Sequence, residues 1–104
     1  MKFQHTKHVM LWDWMMKQWD AYVINRDLPV IKMQYAKDIS GDGIPCYACD
    51  YCGGSCRACP LKAMKCCGPT SLYGKLFNAQ TKAEWVRLCK AIRDRKVKEG
   101  VECE

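Results

Sequence analysis

Nine cysteines in a 104-residue chain set the tightest constraint, because seven of them fall within residues 46–67, CYACDYCGGSCRACPLKAMKCC. Between Cys46 and Pro69 the large apolar residues are Tyr47, Tyr51, Leu61 and Met64. Burying so few side chains cannot offset the entropy of ordering that stretch, so a cross-link or a metal has to supply the difference. An odd cysteine count argues against a secreted disulfide scaffold. The apolar run Val9–Met16 is interrupted by Asp13 and precedes no small-residue cleavage site, so no signal peptide is expected. No stretch approaches the roughly 18 apolar residues of a membrane span. A reducing cytoplasm is the expected setting, and clustered cysteines there favour metal over disulfides.

The segment repeats itself. Cys46, Cys56 and Cys66 are ten residues apart, Cys49 and Cys59 share that spacing, and Ala48 and Ala58 make the unit C-x-A-C used twice. Two residues between cysteines let one tight turn aim both thiolates at a common point, and a second turn completes a tetrahedron at about 2.3 Å from the metal. The expected ligands are therefore Cys46, Cys49, Cys56 and Cys59, with zinc as the metal. Pro60 suits the first position of a short helix, LKAMK, whose positive end would favour the Cys59 thiolate. Iron–sulfur is the alternative cofactor, since Cys46, Cys49, Cys52 and Cys56 match C-x2-C-x2-C-x3-C, although Arg57 stands where that motif has proline. A redox C-x2-C pair is a third reading, and Cys52, Cys66 or Cys67 could replace a ligand or bind a second metal.

The rest of the chain reads as a single α+β domain over residues 1–104. Residues 6–25 predict a helix with Thr6 as N-cap, Asn25 as C-terminal cap and Pro29 as the stop. Residues 30–36 alternate Ile31, Met33 and Tyr35 with Lys32 and Gln34, predicting a strand in a short hairpin over 30–47. Residues 79–98 predict a second helix, opened by a Thr81/Glu84 capping box and carrying an apolar stripe of Trp85, Leu88, Cys89 and Ile92. Two helices thus flank a hairpin and cysteine-rich knuckles in a small zinc-stabilised domain. Asp38, Ser40, Asp42 and Gly43 imitate the first half of a calcium loop, but Cys49 stands where the bidentate glutamate belongs.

The blocks LWDWM (11–15), CYACDY (46–51), CRACPL (56–61) and LYGKLF (72–77) resemble small cysteine-rich bacteriophage and prophage proteins, zinc-binding in appearance and mostly without an assigned function. The C-x2-C…C-x2-C-P-L stretch carries the resemblance most specifically. It implies a viral zinc-finger-like module acting in the host cytoplasm. Cys52 and the Cys66–Cys67 pair depart from that pattern.

Catalysis finds no support in the sequence. His5 and His8 are the two histidines, and no nucleophile elbow, phosphate loop, dinucleotide fingerprint or deaminase signature occurs. A four-cysteine site also lacks the open position of a catalytic zinc. A non-enzymatic protein-interaction module is expected, such as an inhibitor of a host enzyme or defence protein. Trp14 is the candidate anchor, since it lies about 160° from Trp12 and about 140° from Trp19 around a helix. Nucleic-acid binding is the alternative, given the formal +6. Four thiolates lower that charge by four and one zinc returns two, leaving a modest +4.

Overall fold

The computed structural model describes residues 2–53, 58–61 and 71–103. They form six helices: α1 (His5–Met15), α2 (Trp19–Asn25), α3 (Leu28–Asp38), α4 (Tyr47–Cys52), α5 (Leu72–Phe77) and α6 (Lys82–Arg93). Among these residues the β structure is a single bridge between Phe3 and Cys103. The expected α+β class is therefore corrected to a helical one, and the hairpin over 30–47 does not form.

The error lies in residues 28–38, and its physical reason is visible there. The Asp27 side chain caps the helix by accepting from the Val30 N–H, and Pro29 sits in the first turn, where its missing N–H costs nothing. Pro29 thus starts a helix rather than stopping one. Leu28, Ile31, Lys32, Tyr35 and Ala36 are the buried positions, a spacing of 3.6 that runs through the apparent alternation.

The expected helix over 6–25 is two helices. At the break Lys17 N–H donates to the Trp14 carbonyl and Gln18 N–H to the Met15 carbonyl, both at 3.0 Å, tightening the turn. The Met15 carbonyl also accepts from the Trp85 indole at 2.9 Å. Redirecting the chain brings Trp19 and Tyr22 onto Trp85, with the Tyr22 and Trp85 rings stacked at 4.6 Å. α2 ends on Arg26 in the left-handed region (φ 50°), where its guanidinium lies 5.3 Å from the Tyr22 ring centre.

The second expected helix forms as α6, five residues shorter at its C-terminal end. Thr81 accepts from the Glu84 N–H, while Glu84 reaches back to the Gln80 N–H. Trp85, Leu88, Cys89 and Ile92 are buried along one stripe. Beyond Arg93 the chain leaves the helix so that the Lys98 N–H can bond the Pro60 carbonyl at 2.6 Å. α6 is the central element, packed against α1, α2 and α5. No helix among the described residues is long and apolar enough to cross a membrane.

Candidate metal–thiolate site

The turn between α3 and α4 fixes where the first two cysteines sit. Gly41 and Gly43 take positive φ values of 72° and 71°, which residues with a Cβ rarely adopt. Between them Asp42 accepts from the Ser40 hydroxyl (2.8 Å), the Ile44 N–H (3.0 Å) and the Tyr47 hydroxyl (2.8 Å). Lys7 approaches the same carboxylate at 3.8 Å. Desolvation opposes ionisation of Asp42, but these bonds and the lysine outweigh it and hold the carboxyl below its usual range. Its oxygens are thus engaged by the protein's own donors, in the loop whose sequence imitates a calcium site.

Tyr47, pinned by Asp42, opens α4, and Cys46 is that helix's N-cap in extended conformation. Cys49 follows in the first turn, so Cys46 and Cys49 lie within thiol hydrogen-bond reach. That bond, together with burial, pushes the Cys46 thiol above its ordinary range, while the positive charge of Lys32 works in the opposite direction. A metal occupying this pair has to displace the proton. Cys52 donates back to the Cys49 carbonyl at 3.6 Å. Cys59 is buried among the core side chains.

Cys46 and Cys49 open onto a cavity of about 120 Å³ whose wall includes His8, Trp12, Lys32, Leu61 and Tyr73. His8 is buried, and its Nε2–H donates to the Ile92 carbonyl at 3.2 Å. Burial, with His5 and Lys32 adding positive charge nearby, pushes its pKa down to about 4, so the ring is neutral at pH 7. Lys32 is 6% exposed. Its ammonium bonds the Tyr73 hydroxyl at 3.3 Å and lies 4.6 Å from the Tyr73 ring centre and 5.7 Å from that of Trp12.

Of the four expected ligands, the structure therefore juxtaposes Cys46 and Cys49 and buries Cys59. Cys56, like Cys66, Cys67 and the expected LKAMK helix beyond Leu61, lies outside the described residues. Among the described residues no group of three or more His, Cys, Asp or Glu side chains is arranged to hold a metal. Cys89 is core, its thiol pushed up to about 12 by burial, and Cys103 is exposed. Trp14 is half-buried, its ring 5.2 Å from that of Tyr35, so α3 supplies it with a second packing surface.

Lys32 is the participant that sequence reasoning left out, whereas His8 is packed beside Trp12, as its place on the helix face of Trp12 and Met15 implies. Lys32 would have been found by reading residues 28–36 at helical spacing, where a lysine interrupts an apolar stripe. Comparison with known proteins finds no matching family model, curated protein or solved structure. The likeness to phage proteins thus rests on its motifs alone.

Proposed function

We propose that this chain is a non-catalytic, zinc-binding interaction module whose metal is held by Cys46, Cys49, Cys56 and Cys59. The observation carrying this reading is the juxtaposed Cys46–Cys49 pair at the start of α4, with buried Cys59 following ten residues after Cys49 in the second C-x-A-C unit. Soft thiolates suit zinc, and a site closed by four of them stabilises a fold rather than turning over a substrate. Arg57, standing where the iron–sulfur motif has proline, favours zinc over the spacing that would use Cys52 as a ligand.

The partner class favoured by the surface is a protein. Val23 and Ile24 on α2 are 44% and 80% exposed, and Phe77 on α5 is 38% exposed. The Tyr22 hydroxyl binds the Phe77 carbonyl at 2.6 Å, holding those two elements together. Exposed apolar side chains suit a protein contact better than a phosphate backbone.

Protein purified without added metal should carry about one zinc and show no absorbance near 400 nm; brown protein would mean iron–sulfur. Cys46→Ser, Cys49→Ser, Cys56→Ser and Cys59→Ser should each release the metal, whereas Cys89→Ser and Cys103→Ser should retain it. Full metal in Cys56→Ser, with loss in Cys66→Ser or Cys67→Ser, would overturn the ligand set. A steep salt dependence of binding to generic DNA or RNA would overturn the protein-partner reading.

A further inference from the structure

We propose that Cys46 and Cys49 form a redox-active dithiol, which a low-molecular-weight disulfide such as oxidised glutathione closes into a bond across the first turn of α4. The inference goes beyond the zinc reading and does not rest on it, because it uses only these two thiols. Closing the bond would take two of the four thiolates proposed for zinc, so disulfide and metal exclude each other at this pair.

Cys46, Cys49 and Cys52 make two overlapping C-x2-C pairs, and α4 treats them differently. Cys49 and Cys52 both lie inside the helix. Side chains three residues apart on a helix have Cβ atoms about 5–6 Å from each other, whereas a disulfide needs about 3.5–4.5 Å. That pair cannot close without moving the backbone. Cys46 escapes the restriction because it is the N-cap, with an extended backbone (φ −148°, ψ 110°). An N-cap side chain folds back over the second and third residues of the helix it opens, and the third residue here is Cys49. The two thiols accordingly lie within hydrogen-bond reach of each other. Asp42 fixes the entry to this turn through the Ile44 N–H and the Tyr47 hydroxyl, so the pair is held together before any oxidant arrives.

Access gives the two thiols distinct roles. Cys49 is exposed and Cys46 half-buried, so Cys49 is the sulfur that meets the oxidant. Its thiolate attacks one sulfur of oxidised glutathione, the S–S bond of the oxidant breaks, and one glutathione leaves as thiolate. The Cys46 thiolate then attacks the Cys49 sulfur and expels the second glutathione. One bond has formed between Cys46 and Cys49, and two electrons have passed to the oxidant. The two protons lost by the cysteines end on the two glutathione thiols.

The test equilibrates the full-length protein, with chelator present, in buffers of rising oxidised-to-reduced glutathione ratio, then quenches with acid and alkylates the remaining thiols. Cleavage before Asp50 tells the two pairs apart, since Cys46–Cys49 stays within one peptide and Cys49–Cys52 joins two. Cys46–Cys49 should be the first bond to form, at a glutathione ratio at least about tenfold below that needed for Cys49–Cys52, and denaturant should abolish the selectivity. Cys46→Ser should stop at the mixed disulfide of Cys49 with glutathione. Cys49→Ser should leave Cys46 largely reduced, and Cys52→Ser should change neither the bond nor its ratio. A first bond from Cys46 or Cys49 to Cys52, Cys56, Cys59, Cys66 or Cys67 would overturn the assignment. So would the same mixture of disulfides in native and denatured protein, or an unmodified Cys49 in Cys46→Ser. Protein that holds no zinc as purified would sink the metal reading alone, and the pair should then oxidise without chelator.

Discussion

Two regions of the molecule meet along α1 and solve opposite problems. Around Trp85, on the side of α2 and α6, the buried aromatic side chains are neutral: Trp19, Tyr22 and Trp85 pack ring on ring, the indole N–H finds the Met15 carbonyl, and the one cation over these rings, Arg26, is exposed. Around Lys32, on the side of α3 and α4, the same density of aromatic rings encloses a cation, two thiols and a cavity of about 120 Å³. The first region is complete as a packed core. The second keeps a buried ammonium and open space among its rings. Aromatic content is thus a poor guide to which part of a small protein is structural; the polar groups left among the rings distinguish them.

The largest effect should come from the complete region. Trp85→Ala removes a fully buried indole and leaves the Met15 carbonyl without that donor, so it should cost about 3–5 kcal/mol in denaturant unfolding. The loss should be the same with and without metal, because Trp85 does not line the cavity of Cys46 and Cys49. If chelation changes the cost of Trp85→Ala substantially, the two regions form one cooperative site and the contrast between them fails.

His8 sits on the boundary, with its ring on the cavity wall and its Nε2–H tied to α6. Its pKa is lowered to about 4 in the folded protein, so the unfolded chain binds the proton first. Stability from this group is therefore full above about pH 6.5 and declines as the pH falls toward 4, by roughly 3 kcal/mol in total. Metal-stripped protein should show this decline, and His8→Gln should flatten it over the same range while carboxylates elsewhere titrate as before. An undiminished slope in His8→Gln would mean that the imidazole is solvated, and the cavity wall would be looser than the aromatic core in more than its charge.

The two regions also differ in how legible they were. The α6 stripe and its Thr81 cap were readable because propensity, capping and periodicity agree there, and the cysteine spacing pointed to the thiol pair for the same local reason. Residues 28–38 misled because Ile31 and Tyr35 favour strands and, with Met33, alternate with Lys32 and Gln34. What decides the matter is the Asp27 cap and the first-turn proline, which outweigh β-propensity. The break after Met15 had no local signal: it follows from the Trp85 indole 70 residues away. Lys32 was hidden by the same misreading, since a lysine in an exposed strand position needs no partner, whereas a lysine on a buried helical stripe does.

The smallest of these effects tests the seam between the regions. Trp14 was expected on the far side of its helix from Trp12, and α3 meets it there with Tyr35, whose ring centre is 5.2 Å away at an interplanar angle of 52°. A half-buried ring in one aromatic pair contributes less than an indole buried on all sides, because part of its area stays in water and the pair itself adds only about 0.5–1.5 kcal/mol. Trp14→Ala should therefore cost about 1–2 kcal/mol in thermal or denaturant unfolding and leave metal content unchanged. A double-mutant cycle with Tyr35→Phe and Tyr35→Ala should place most of the coupling in the ring rather than the hydroxyl. A loss as large as that of Trp85→Ala would extend the neutral core across α1 to α3 and erase the boundary. No loss at all would mean that Tyr35 holds the ring without stabilising the fold, and Trp14 would return as the candidate anchor for a protein partner.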